Sequence, residues 1–284
     1  MKTSEYYMYR YSVISSQMIF DFEKPELADP RTRIPAFFKK LESEKRVISK
    51  VKRRNYLLYF SCRYGQEVYI CKFARESTTA IHKAGEQDIE LIGEQNFPFI
   101  YVIVDVYRQA MLIQKKTTVF RTMRQAKQTI SAFIAISAGL REHEFRVDEI
   151  TDEREFWRYV EEAQKIYKLD LRLKSPNLFG FHEETSAVLR ELRNIINQDE
   201  LRLELRNAEG LLQLHPVSWL RNALRYITDG GGSWVLRIKL NNLITAIRSE
   251  TAVKKVILSV DLDKEDRSSV LKALEESSFR RDDQ

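Results

Sequence analysis

The chain has 284 residues, 43% of them hydrophobic and 31% charged, with only nine glycines and six prolines. That excludes a disordered or collagen-like polymer and suits two domains of about 140 residues each. The formal charge of +6 is unevenly spread: residues 1–141 hold 24 Lys and Arg against 14 Asp and Glu, a balance of +10, while residues 142–284 hold 23 against 27, a balance of −4. No apolar run approaches the ~18 to 20 residues of a membrane span, and MKTSEYYMYR lacks the basic-then-apolar order of a secretory signal, so a globular cytoplasmic protein starting near Met1 is expected.

In chain order, Tyr6 to Val13 is aromatic and β-branched and predicts a strand. RIPAFFKKLE sets Ile34, Phe37, Phe38 and Leu41 at helical spacing, with Pro35 placed to open the helix. YLLYFSC, RYGQ and EVYICK then predict a hairpin over residues 55–73. Counting outward from its turn sets Cys71 near Leu58 and not opposite Cys62, so both thiols are expected reduced. FPFIYVIVDV and QAMLIQKKTTVF predict two further strands, and Met123, Ala126, Ile130, Phe133, Ile134 and Ser137 trace one face of a long helix ending at Gly139. The first domain, residues 1–141, is therefore expected to be an α+β unit with a mainly antiparallel sheet.

From residue 142 the elements alternate. FRVDEI predicts a strand, EREFWRYVEEAQKIYK a helix, LDLRLK a strand, ETSAVLRELRNII a helix and LRLELR a strand. PVSWLRNALRYI then predicts a helix, SWVLRIKL and VKKVILSVD two strands, and DKEDRSSVLKALEE a last helix. In KLDLRLK every second residue is apolar, so Leu169, Leu171 and Leu173 share one face of a strand while Asp170, Arg172 and Lys174 share the other. A sheet with helices on one side only shows that pattern. The second domain, residues 142–284, is thus expected to be a two-layer α/β sandwich with one open sheet face, which carries Arg172, Lys174, Arg202, Arg206, Arg237 and Lys239 against Asp170 and Glu204.

The first domain adds cations. Lys50, Lys52, Arg53 and Arg54 precede the hairpin, Lys115 and Lys116 close a later strand, and Arg121, Arg124 and Lys127 lie on the long helix away from its apolar side. Residues 45–127 hold 16 basic against 7 acidic residues, with tyrosines between them that could pack on sugars or bases. Binding to a nucleic-acid backbone needs little more than such a patch, because affinity comes largely from phosphate neutralisation and counterion release. The plain alternative is that these charges only solubilise a helix face and an exposed sheet, pairing across its strands.

Catalytic signals are sparse. His82, His143, His182 and His215 are scattered without ligand spacing, and DGGGS at 229–233 lacks the lysine and hydroxyl of a phosphate-binding loop, reading instead as a turn from helix to strand. No metal, cofactor, catalytic residue or phosphate-gripping loop is expected. A metal-dependent nuclease remains the chemical alternative, with Asp105, Gln114 and Lys116, or Asp170 and Lys174, as its carboxylate and lysine.

The opening MKTSEYYMYR, in its placing of Tyr6, Tyr9 and Arg10, resembles the RexA-like phage-exclusion proteins, as do Asn96-Phe97-Pro98 before a strand pair and Thr118-Val119-Phe120 before the long helix. The second half, with Pro176-Asn177 after a strand, is similar in rhythm to KwaB-like bacterial defence proteins. The resemblance implies a cytoplasmic, dimeric sensor that binds double-stranded DNA in anti-phage defence and acts through a membrane-protein effector. It supplies no metal site or nucleophile. Together with the charge pattern it leads to the expectation of a sequence-nonspecific DNA-binding protein; a defence nuclease and an interaction scaffold without nucleic-acid binding are the alternatives.

Overall fold

A computed structural model describes residues 3–15, 30–84, 88–140, 143–174, 198, 200–259, 262 and 272. It is a strand-rich mixture of helix and antiparallel sheet. By contact density the chain divides into two compact units, one from the described residues of Met1–Tyr7, Val13–Val147 and Val256–Gln284, the other from Met8–Ser12 and Asp148–Lys255.

The first unit is built on the two ends of strand β1 (Ser4–Ser15), whose middle, Met8–Ser12, belongs to the second unit, and on β2 (Arg46–Val51), β3 (Arg54–Tyr64), β4 (Val68–Arg75), β7 (Phe99–Asp105) and β8 (Ala110–Gln114), with helices α1 (Pro30–Glu44) and α2 (Met123–Ser137). The hairpin β5 (Ser77–Ala84) and β6 (Ile89–Asn96) forms a separate two-stranded ribbon. From β2 through β3, β4 and β7 to β8 every pairing is antiparallel. The apolar stripe of α2 buries Ala126, Ile130, Phe133 and Ile134 as the spacing predicts, and Phe133 meets Phe73 edge-on at 5.2 Å. Tyr56, Phe73 and Phe120 stack beside it, with centroids 5.5 to 6.4 Å apart. Such pairs add about 0.5–1.5 kcal/mol each beyond the area they bury.

Two boundaries in this unit differ from expectation. Helix α1 opens at Pro30, not Pro35, which falls inside it. A proline at the first helical position loses no hydrogen bond, because that N–H has no partner within the helix. Lys50 to Arg54 do not precede the first hairpin; they are the tip of an additional one, β2–β3, with Val51 opposite Arg54. A bulge between Phe60 and Cys62 sets Cys71 opposite Phe60 and Cys62 opposite Ile70. Neither cysteine is in a disulfide, and complete burial pushes the Cys71 thiol well above its ordinary value.

The second unit holds a four-stranded antiparallel sheet in the order β11 (Glu200–Arg206), β10 (Lys165–Lys174), β12 (Gly232–Leu240), β13 (Leu243–Arg248). Helices α3 (Glu153–Glu162) and α4 (Ser218–Tyr226) supply Phe156, Leu220, Ala223, Leu224 and Tyr226 to the core formed with Leu169, Leu171, Trp234, Leu236 and Ile238. Phe156 packs edge-on against Trp234 at 5.2 Å. A single alternating strand thus places leucine against helices on one side and charge on the other, as KLDLRLK predicts.

Here too some elements move. Helix α3 ends at Glu162, and KIYK, expected to be helical, begins β10. The backbone at Ala163 is already extended, and the Gln164 N–H reaches the Lys239 carbonyl at 2.9 Å, so cross-strand pairing overrides a locally helical pattern. Strand β13 has no counterpart in the sequence reading, and VKKVILSVD shrinks to β14 (Lys255–Leu258). The FRVDEI strand, β9 (His143–Glu149), and β14 both pair with β1 in the larger sheet, not with their neighbours in sequence. The helices expected over 184–196 and 263–276, His182 and Pro176-Asn177 lie outside the described residues, apart from Lys272.

The glycine turn behaves as expected. Helix α4 runs into one π-helical turn, Ile227–Gly231, with Gly230 at φ 87°, and β12 starts at Gly232.

Candidate nucleic-acid interface

Register decides how the charges of the second sheet are arranged. Lys168 stands opposite Arg206 on one neighbour and Arg237 on the other, Arg172 opposite Arg202, and Lys165 opposite Lys239. Asp170 stands opposite Glu204. Only Lys174 and Glu200 pair opposite signs directly across strands. The face is sorted into stripes that cross the strands: Lys165–Lys239, then Arg206–Lys168–Arg237, then the acidic pair, then Arg202–Arg172.

Like charges directly opposite one another destabilise a sheet, by an amount comparable to what a good pair contributes, ~0.2–1 kcal/mol. A sheet decorated only for solubility would interleave its signs. The acidic pair is consumed inside the face. Asp170 is 4% exposed; its carboxylate accepts from Arg202 Nε at 3.0 Å and Nη2 at 2.5 Å, and Lys168 Nζ lies 3.6 Å away. Glu204 takes Lys168 Nζ at 2.7 Å and Arg202 Nη2 at 3.4 Å. Lys174 is held by Asp148.

Among the described residues, Arg206, Arg237 and Lys239 have no carboxylate within salt-bridge distance; nor has Arg248, at the end of β13 beside Val235. Arg172, Arg206, Arg237 and Arg248 are exposed, and Lys239 is half-buried. Asp170 and Glu204 therefore do not dilute this charge evenly; they pin Arg202 and Lys168 and leave the outer cations free. Among the described residues the register positions of the face carry no aromatic residue, and Tyr167, in the bulge between Ile166 and Lys168, is half-buried with its ring beside Gly210, so the face offers phosphate contacts and no exposed platform for stacked bases.

The Arg202 guanidinium hydrogen-bonded to Asp170, helped by Lys168 and Arg172, holds the carboxyl below its ordinary range. A depressed folded-state pKa contributes stability above the unfolded value and loses it as pH falls through the folded one. Unfolding measured in denaturant should show Asp170→Asn costing about 1–3 kcal/mol at neutral pH, with the gap to the parent closing below about pH 4. A gap unchanged at pH 3 would mean the carboxylate is not coupled to Arg202.

In the first unit the expected cations separate into two groups. Lys50, Lys52, Arg53 and Arg54 are exposed at the β2–β3 tip, where Lys52 and Arg53 take positive φ of 45° and 70°. A two-residue hairpin turn demands that conformation and usually meets it with Asn-Gly. Arg121 and Arg124 are exposed at the start of α2, whose Thr122 side chain caps the Gln125 N–H at 3.1 Å. Lys127 is half-buried.

The remaining two are engaged. Lys115 binds Glu5 at 3.0 Å and lies over the Tyr7 ring, while Lys116 donates to the Phe99 carbonyl at 3.3 Å and lies over the Phe99 ring. The tyrosines expected to interleave with the cations are mostly core: Tyr56, Tyr64, Tyr69 and Tyr101 are buried, and Tyr107 is the exposed one, at 72%. Their rings fill the sheet's packed faces, which is where burial of aromatic area is worth most.

Neither carboxylate–lysine set comes together. Asp105 stands opposite Ala110 beside the β7–β8 turn, and its Oδ1 accepts the N–H groups of Tyr107 at 3.0 Å and Arg108 at 2.9 Å. Gln114 is at the far end of β8, bonded to the Tyr101 N–H and to Ser4. Asp170 is committed to Arg202, and Lys174 to Asp148. Among the described residues no three His, Cys, Asp or Glu side chains are grouped to hold a metal ion, and no helix is long and apolar enough to cross a membrane. No protein-family model, curated protein or solved structure matches this chain.

Proposed function

We propose that this protein binds double-stranded DNA through its phosphates, without sequence preference, and serves as a cytoplasmic sensor in phage exclusion or anti-phage defence. The observation that carries the binding is the sorting of charge on the open sheet. Lys168, Arg206 and Arg237 stand side by side across three strands. Glu204 holds Lys168, while Arg206 and Arg237 on either side of it have no carboxylate within salt-bridge distance among the described residues, and a polyanion would supply one. With Tyr167 half-buried beside Gly210, the described part of the face has no exposed aromatic residue, which favours a duplex backbone over single strands held by stacking. The exposed Lys52–Arg53 turn offers a further set of phosphate donors. The setting in defence, and a membrane-protein effector, rest on the resemblance to phage-exclusion proteins.

The test is a salt titration with unrelated duplexes. Affinity should be similar across sequences and fall steeply between about 50 and 300 mM salt, because each neutralised phosphate contributes close to one unit of slope. Binding that ignores salt, or follows base sequence, would remove the proposal. Binding without turnover is the second expectation. Linear, supercoiled and single-stranded DNA incubated with magnesium or manganese should stay intact.

A further inference from the structure

The outermost strands of the two larger sheets are guarded in different ways. β11 has four charged residues in seven, β2 has Arg46 and Lys50, and β14 is only four residues long. Charge and shortness are the usual means of keeping an edge from pairing with another chain. β13 has neither: Leu243 to Ile247 is uncharged, and Leu243 and Ile244 are 72% and 53% exposed. It also lacks a proline or a bulge, and its register with β12 is unbroken from Leu243 to Arg248.

The turn fixes which backbone groups face outward. Leu240 and Leu243 flank the two-residue turn Asn241-Asn242, whose φ values are 48° and 64°. Such a turn is closed by a hydrogen-bonded pair, and the ladder alternates from there. Leu243, Thr245 and Ile247 bond inward to β12, which leaves the N–H and C=O groups of Ile244, Ala246 and Arg248 directed away from the sheet. Among the described residues no strand pairs with them; the Arg248 carbonyl accepts from Thr251 Oγ1 at 2.7 Å.

We infer that β13 pairs antiparallel with β13 of a second copy about a twofold axis at Thr245. Ile244 then forms hydrogen-bonded pairs with the partner's Ala246, and the reciprocal pair follows by symmetry. On the helix-covered side Leu243 packs against the partner's Ile247. The charge pattern fits itself: the uncharged stretch meets its own image, and the two Arg248 residues are carried to opposite ends. In the in-phase register centred on Ala246, each Arg248 would lie beside an isoleucine. The pairing joins two four-stranded sheets into one of eight and makes their open faces continuous. The longer DNA footprint this gives rests on the binding proposed above; the dimer itself does not.

The experiment is sedimentation equilibrium on the full chain at micromolar concentration, for the parent, Ala246→Pro and Ile244→Lys. Proline at 246 removes only an outward N–H, which edge strands tolerate, and lysine at 244 is the commonest natural guard of an edge. The parent is expected at twice the chain mass and both variants at the chain mass with unchanged circular dichroism. If Ala246→Pro disturbs folding, Ile244→Lys decides alone. A monomeric parent, or a folded variant that stays dimeric, overturns the pairing. With DNA, Ala246→Pro should match the parent on a duplex short enough for one face and bind about tenfold or more weakly on one spanning two. If the parent is a dimer but binds neither duplex, the DNA proposal falls and the interface stands.

Discussion

Replacing Arg206, Arg237 and Lys239 together by glutamate should weaken duplex binding about a hundredfold or more at low salt, at ~1 kcal/mol for each lost phosphate contact. The salt slope should shrink by roughly three units. The same variant should melt at or above the parent temperature, because Arg206 and Arg237 stand opposite Lys168, and reversing them turns two repelling cross-strand pairs into attractive ones. Weaker binding in a more stable protein is the signature of charge kept for a ligand. Arg121→Glu with Arg124→Glu, at the exposed start of α2, is the comparison and should lose less. Full DNA affinity in the folded sheet variant would return its charges to a solvating role.

Gly232→Ala should be the most destabilising of the glycine substitutions in the second unit. A Cβ there would lie 1.9 Å from the carbonyl oxygen of Arg172. Neither atom belongs to a movable side chain, because Gly232 opens β12 opposite Leu173 of the central strand β10. Relief requires the two strands to part, at a cost of about 3 kcal/mol or more. Gly139→Ala is the control. Its Cβ would meet nothing within 4 Å, and only φ of 67° opposes it, at roughly 1–2 kcal/mol. Urea midpoints of the two variants test the ranking. The junction also anchors the β10–β12 register that brings Lys168 beside Arg237, so Gly232→Ala should weaken DNA binding even where it folds. Equal midpoints for the two variants would mean that β10 and β12 are not held this close.

Much of the local structure was legible in the sequence because it has a short period. The alternation in LDLRLK specifies a strand with one dry face, and the Met123–Ser137 pattern specifies a helix with one apolar stripe. The DGGGS turn was readable for the same reason: its chemistry is local. The short strands β2 and β13 escaped, and so did the β5–β6 ribbon. RVISKV, LITAIR and IELIGEQN are short and irregular, and they become strands only because a neighbour completes their ladders. The overrun of α3 into KIYK has the same cause.

The amino-acid sequence by itself determined that the second sheet has a charged face and which residues lie on it. Only the tertiary structure decided what that face is. Pairing brings Lys168 to Arg206, 38 positions away, and to Arg237, 69 away, through an antiparallel register with a bulge between Ile166 and Lys168. A shift of β11 by two residues keeps every side chain on its own face yet would set Lys168 opposite Glu204 in place of Arg206, Asp170 opposite Arg202 and Arg172 opposite Glu200, so that like charges would no longer stand opposite on these two strands. Alternation has period two and cannot tell those registers apart. On the β11 side the Ile166 N–H on the Gly210 carbonyl at 3.1 Å and the Leu212 N–H on the Ile166 carbonyl at 3.2 Å can, and on the β12 side the bulge and the close approach at Gly232 can, because each admits one alignment of backbones.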